Sequence, residues 1–353
     1  MALIHPRSLE RWQEWQNSRY RARQIKHSVA GFLRRRGDDA KSPAPGFVLH
    51  SREGDEGPRV LIGLDSASPT SRASLLTALP YVRSGIDVLA PAGVDLPELA
   101  GSDWTHQRVA MPQAVLNGRG IGSVITLGWH LEVGRMVHEW ALAEDIGGAV
   151  VQHGALTPFA PPLPPRITLL AWSDADAEFY RSGRQDIETR VVGSQLLWQA
   201  AHESEDTPAD LDERPVFLGQ MHGAELSRRI TAGAATTFCR AENALYRPHP
   251  AETDALSRVA HSVMARRGIE FQDSAIPLHE LRGPVVGVFS TGVLEAAVRG
   301  LPAWVYGPRT PTWVHEFWDR YGMRTWGGDP TPAPVQPADE PSRLIAQILE
   351  GAG

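Results

Sequence analysis

Short, wholly apolar runs alternate along most of the chain with stretches whose apolar residues recur every three or four positions. In the first half, residues 60–65, 86–90, 123–127, 148–152, 167–172 and 190–192 read as strands covered on both faces. Helical periodicity fills the gaps, most clearly over 131–144 and 174–182. A second series follows at 216–218, 244–247, 269–271, 285–289 and 303–306, again with helices between. Such alternation predicts parallel βαβ units. Residues 202–214 are acidic, polar and poor in apolar side chains, so they read as a linker between two halves. The expected organisation is an N-terminal helical segment over 1–45, a Rossmann-like domain over 46–200, a linker over 201–214 and a second Rossmann-like domain over 215–353.

The first forty residues depart from this pattern. Ten basic residues between positions 1 and 41 outnumber four acidic ones. Trp12, Trp15, Tyr20, Ile25, Val29, Phe32 and Leu33 are interleaved at helical spacing. Two readings stay open: a basic amphipathic helix on an anionic membrane surface, or a helix packed on the first domain with its arginines solvated.

Composition narrows the class. With 353 residues, 42% apolar and 22% charged, the chain can bury two ordinary cores. A net charge of -6 speaks against a nucleic-acid partner, which requires a basic footprint. The single cysteine, Cys239, rules out an internal disulfide framework and a multi-cysteine zinc site, and a reducing cytoplasm is the expected compartment. The thirteen histidines are scattered without His-Glu-x-x-His spacing, so no metal is expected.

Open α/β sheets bind ligands at the carboxyl ends of their strands, and three chemical constellations fall there. Gln152-His153-Gly154 ends a strand with an imidazole suited to taking a proton from a hydroxyl near neutral pH. Tyr246-Arg247-Pro248-His249-Pro250 is a proline-stiffened loop at a helix start, where Arg247 and His249 suit a diphosphate. Ser290-Thr291-Gly292, with Glu295 one turn later, places hydroxyls and amides at a helix N-terminus, suited to phosphate, and a carboxylate within reach of ribose hydroxyls. Each has a plain structural alternative: a hydrogen-bonded histidine, a proline-bounded turn and a capped helix. Asp65, ending the first strand, suits either the acceptor side of a site or the cap of a helix.

Gln152-His153-Gly154, then Arg247-Pro248-His249-Pro250, then Ser290-Thr291 with Leu294-Glu295-Ala296-Ala297 and Gly300-Leu301-Pro302 resemble the CDP-glycerol glycerophosphotransferase family of teichoic acid polymerases and the related capsule polymerases. Gln152 stands where that family usually has tryptophan. The resemblance, over roughly residues 60–307, implies an α/β, GT-B-like fold: two Rossmann-like doubly wound domains facing a central cleft. It implies a metal-independent transferase that moves a glycosyl or polyol-phosphate group from a CDP- or CMP-linked donor to a glycan or lipid-linked acceptor. His153 and His249 would be its catalytic residues. Arg247, Ser290, Thr291, Gly292 and Glu295 would hold the donor, with Asp65 and Gly154 on the acceptor side. No cofactor is implied, and the enzyme would work in the cytoplasm, with residues 1–41 touching the inner membrane surface. A nucleotide-sugar 2-epimerase of the same layout and a non-catalytic glycan or nucleotide binder are the competing readings.

Overall fold

The computed structural model describes residues 2–19, 46–55, 57–202, 214–274 and 276–351. Residues 203–213 of the linker expected over 201–214, and residues 20–45 of the N-terminal segment, lie outside the described residues.

Eight strands form the first sheet: β1 (Phe47–Arg52), β2 (Arg59–Gly63), β3 (Ile86–Pro91), β4 (Trp104–Val109), β5 (Ile121–Thr126), β6 (Gly147–Val151), β7 (Ile167–Ala171) and β8 (Ile187–Val191). Their order is β4-β1-β3-β2-β5-β6-β7-β8. All pairs from β3 to β8 are parallel, and β1 is antiparallel to both β3 and β4. The periodicity did not predict β1 or β4. β4 is an edge strand with four exposed residues in a row, so it lacks the continuous apolar signature of a strand covered on both faces. The expected strand at 190–192 starts earlier, at Ile187.

The second sheet has four parallel strands, β9 (Val216–Leu218), β10 (Leu245–Arg247), β11 (Val285–Gly287) and β12 (Ala303–Val305), in the order β10-β9-β11-β12. The run at 269–271 contributes only a bridge from Phe271 to Tyr246. Sheet order reverses between β2 and β5 in the first sheet and between β9 and β11 in the second, which gives each half a topological switch point.

The cores explain the strand composition. Val60, Ile62, Ile86, Val88 and Ile125 are buried under helices on one face of the first sheet, and Leu61, Leu89, Val124, Val133 and Val137 on the other. The second core gathers Phe217, Phe238, Tyr246, Val286, Val293 and Phe317. The chain ends by returning to the first sheet: helix Pro341–Gly351 buries Ile345, Ala346 and Leu349 among first-half residues, although its sequence position put it with the second half. The N-terminal helix runs Leu9–Arg19 and buries Trp12, whose indole N–H donates to the Phe159 carbonyl at 2.8 Å. No helix among the described residues is long and apolar enough to cross a membrane.

Candidate active site

A cavity of about 960 Å³ lies where the carboxyl edges of the two sheets meet. It is lined by all nine residues singled out in the sequence: Asp65, His153 and Gly154 from the first half, and Arg247, His249, Ser290, Thr291, Gly292 and Glu295 from the second. Both switch points open into it, through Asp65 and His130 on one side and Gln220 and Phe289 on the other.

On the first-half wall, Asp65 follows β2 and turns toward the start of helix Glu132–Ala143. Its Oδ1 accepts from the Val133 amide at 2.7 Å and its Oδ2 from the Gly134 amide at 3.0 Å. The carboxylate therefore caps a helix that follows β5, not the one next in sequence. Burial pushes its pKa up, and the two amide bonds pull it back in part. His153 follows β6. Burial lowers its pKa, opposed by a bond to the Val151 carbonyl, so the ring is neutral at pH 7. The turn carrying it is fixed by Gln152, which is 2% exposed. The Gln152 amide donates to the Gly154 carbonyl (3.1 Å) and to Asp176 Oδ2 (3.0 Å), and its oxygen accepts from the Trp172 amide (3.0 Å). The residue that departs from the teichoic acid polymerase pattern is thus a buried hub.

On the second-half wall Arg247 lines the cavity and also braces a neighbouring loop. Its guanidinium donates to the carbonyls of Asp273 (3.1 Å), Ser274 (3.4 Å) and Ile276 (2.5 Å) and anchors those three residues. Burial lowers its pKa, and the charges of Asp273 and Glu295 oppose that shift, so Glu295 and Arg247 share one electrostatic neighbourhood. His249 is exposed; its Nδ1 accepts from the Ala251 amide at 3.1 Å, and its ring stacks on His222 with centroids 3.7 Å apart. Partial desolvation of the ring lowers its pKa while Glu252 raises it in part. Behind this loop, Glu252 accepts from the Met221 amide and the Tyr246 hydroxyl and bonds His261, each at 2.8 Å. Ser290 is the N-cap of helix Thr291–Val298, its Oγ accepting from the Gly292 amide at 3.1 Å. Thr291 Oγ1 accepts from the Ala155 amide at 3.1 Å and so joins the two halves.

Comparison with protein-family models yields no match, and comparison with curated protein sequences yields none either. Among solved structures, the chain is similar to the UDP-GlcNAc 2-epimerase of Methanocaldococcus jannaschii in complex with UDP-GlcNAc and UDP. The TM-score is 0.51 at 11% identity, covering 82% of this chain and 99% of that one. A second structure of that epimerase gives a TM-score of 0.48 at 12% identity, with 82% and 99% covered. The fold is GT-B-like.

In this GT-B-like frame the cavity has two unlike walls. Among the described residues, arginine reaches it only from the second half, at Arg247, which stands there with His222, His249 and His279. The first-half wall carries hydroxyls, two neutral histidines and the capped Asp65. Sequence reasoning missed His130, His222, Gln220 and His279. His130 and His222 each come four residues after a strand end, so the strand-end rule that found His153 could have found them. Gln220 accepts from the Val288 (3.1 Å) and Phe289 (3.0 Å) amides and ties the end of β9 to the segment after β11. No group of three or more His, Cys, Asp or Glu side chains is placed to hold a metal ion among the described residues.

Proposed function

We propose that the chain is a metal-independent transferase that moves a glycosyl or polyol-phosphate group from a nucleotide-activated donor to a hydroxyl of a cell-surface acceptor. The observation that carries this reading is the meeting of histidines from opposite sheets, His153 from the first and His249 with His222 from the second, around one cavity. The donor nucleotide lies on the second half, with its diphosphate against His249, His222 and the start of helix Thr291–Val298, where dipole and amides favour an anion. Arg247 supplies positive charge from the wall while its N–H groups hold the carbonyls of Asp273, Ser274 and Ile276. Glu295 binds the ribose. An acceptor hydroxyl enters from the first half, and neutral His153 takes its proton as the new bond forms and the nucleotide leaves. The resemblance to teichoic acid and capsule polymerases favours a cytidine nucleotide, a glycan or lipid-linked acceptor and work at the cytoplasmic membrane face.

A second reading, epimerisation of a nucleotide sugar at C2, is favoured by the likeness to the archaeal epimerase fold. Products separate the two. Transfer predicts that donor alone stays intact and that acceptor triggers release of nucleotide and growth of the acceptor. Epimerisation predicts a changed sugar or free UDP from UDP-GlcNAc with no acceptor present. A thermal-shift screen of CDP, CMP, UDP and GDP identifies the base, because a ligand of the native state raises its melting temperature. If none of the four shifts it, the nucleotide-donor reading is wrong.

A further inference from the structure

His130 is the least explained polar side chain in the cavity. It follows β5 at the switch point of the first sheet and packs edge-on against Trp12, with centroids 5.5 Å apart. Its Nδ1 is buried without a hydrogen-bond partner. A buried polar atom left unpaired is costly, and in native structures such an atom calls for an explanation. A buried orphan N–H is rarer than a buried orphan lone pair, so the ring proton belongs on Nε2, which is not among the buried unpaired atoms of this cavity-lining ring. Burial and the neighbouring His153 hold the pKa at about 4. At neutral pH the ring is therefore an uncharged N–H donor of fixed tautomer.

The first-half groups that line the same cavity share that character. Ser71 Oγ lies 3.2 Å from Ser66 Oγ and 2.8 Å from Ser68 Oγ, and Ser66 and Ser68 are exposed. This hydroxyl chain both donates and accepts. Asp65 has both oxygens on helix amides. Among the described residues, no lysine or arginine of the first half lines the cavity. An anion held on this wall would lose water without gaining a counter-charge, whereas neutral hydroxyls match the array donor for acceptor.

We propose that the first-half wall, with His130 as its hydrogen-bond donor and Ser66 and Ser68 on the same cavity lining, is a subsite for the neutral hydroxyls of a sugar ring. The proposal rests on the donor reading only in placing this subsite opposite the phosphates. The ring comes either from the sugar of the donor or from the end unit of the acceptor, and the chemistry is the same. It is not a phosphorylated or carboxylated unit.

Calorimetry on wild type, His130→Phe, His130→Gln and Ser66→Ala tests this with UDP, CDP, UDP-GlcNAc, maltotriose and glycerol 3-phosphate. The expected result is unchanged nucleoside diphosphate affinity in all variants. His130→Phe should weaken a sugar-bearing ligand roughly tenfold, in keeping with the loss of a hydrogen bond whose partner is left unpaired, and the N–H-bearing His130→Gln should regain part of the loss. A loss confined to UDP-GlcNAc assigns the subsite to the donor sugar; a loss on maltotriose assigns it to the acceptor. A purely structural His130 would instead lower the melting temperature and weaken UDP and sugar ligands alike, which overturns the proposal. So would unchanged sugar affinity in both His130→Phe and Ser66→Ala, tighter binding of glycerol 3-phosphate than of maltotriose, or no wild-type affinity for either sugar ligand. Should His130→Phe fail to fold, Ser66→Ala, an exposed hydroxyl, carries the test. If wild type binds maltotriose but neither UDP nor CDP, the donor reading fails while the sugar subsite stands.

Discussion

His249 and His138 show how differently two histidines of one chain are used. His249 is exposed at the cavity, braced by one amide bond and a stacked ring, so its removal touches chemistry more than packing. His249→Ala should lower turnover about 10²- to 10⁴-fold, the range for loss of a positioned polar catalyst, and shift stability by no more than about 0.5 kcal/mol. Steady-state kinetics beside urea denaturation checks both halves of that statement, and full turnover in a folded variant removes His249 from the mechanism. His138 is 1% exposed and bonds Thr126 Oγ1 at 2.8 Å through Nε2. Burial holds its pKa at about 3, and that of His130 at about 4, against an ordinary 6.5. Below pH 6.5 the unfolded chain takes up these protons and the native protein does not. The stabilisation is complete above pH 6.5 and is lost as pH falls toward 4, by roughly 3 kcal/mol per pH unit for the two rings together. Denaturation curves at pH 7, 6 and 5 give the total slope, to which His153 and His249, shifted in the same direction, also contribute; His138→Leu should lessen it between pH 6 and 5 by about 1 kcal/mol per pH unit. The sequence exposed His153 and His249 because each sits in a motif at a strand end. It could not expose the fate of Arg247, whose guanidinium is claimed by carbonyls 26 to 29 positions away in the chain.

Helix Glu132–Ala143 positions the first-half wall, and a glycine sets how closely it approaches. A Cβ on Gly134 would stand 2.0 Å from the Gly128 carbonyl oxygen and 3.3 Å from Asp65 Oδ2. Alanine normally favours a helix interior over glycine by about 1 kcal/mol. Here it must push the loop that carries His130 away from the helix start. Gly134→Ala should therefore destabilise by about 1–3 kcal/mol, the usual cost of overpacking, and weaken sugar ligands more than nucleotides. Gly233, inside helix Arg228–Ala241, meets nothing within 4 Å of an added Cβ, so Gly233→Ala should stabilise by about 0.4–1 kcal/mol. Thermal denaturation of the pair gives shifts of opposite sign; shifts of the same sign would show that the Gly128 contact does not govern the helix start. Elements of this kind were the most legible part of the sequence. Helices expected at 131–144 and 174–182 are found at Glu132–Ala143 and Asp174–Arg181, because apolar periodicity and the Ser173 cap act locally. β1 and β4 escaped notice because their pairing, His50 opposite His106 among it, is long-range, only two of the six β1 residues are fully buried and four of the six in β4 are exposed.

At the scale of the whole molecule, the two halves are fastened beside the very turn that carries His153. The Tyr321 hydroxyl accepts from the Leu156 amide at 2.6 Å and donates to Asp176 Oδ1 at 2.7 Å. Arg320 bonds the Leu156 carbonyl and pairs with Asp176 at 3.4 Å. Asp176, 1% exposed, also accepts from Gln152, which holds the Gly154 carbonyl. A chain of direct bonds thus runs from helix Thr312–Arg320 and its end to the His153 turn. An aromatic file of Trp15, Phe159, Trp313 and Phe289, with centroid steps of 4.8, 5.6 and 5.3 Å, crosses between the halves as well. Interfaces inside a chain normally permit relative motion, but breaking this one would strip a buried carboxylate of its second-half partners and a backbone amide of its acceptor. Tyr321→Phe removes one oxygen, and with it one partner of Asp176 and the acceptor of the Leu156 amide, without opening a cavity. It should cost about 1–3 kcal/mol of stability and should also lower kcat, because the Gln152–Gly154 turn loses an anchor, while nucleotide affinity on the second half stays within about twofold (roughly 0.4 kcal/mol). Urea denaturation, single-turnover rates and UDP or CDP titration on one preparation read the three quantities together. A variant that loses stability but keeps kcat would show that the fastening serves only cohesion, and one that loses nucleotide affinity in step with stability would place its effect on the second half instead of on the turn.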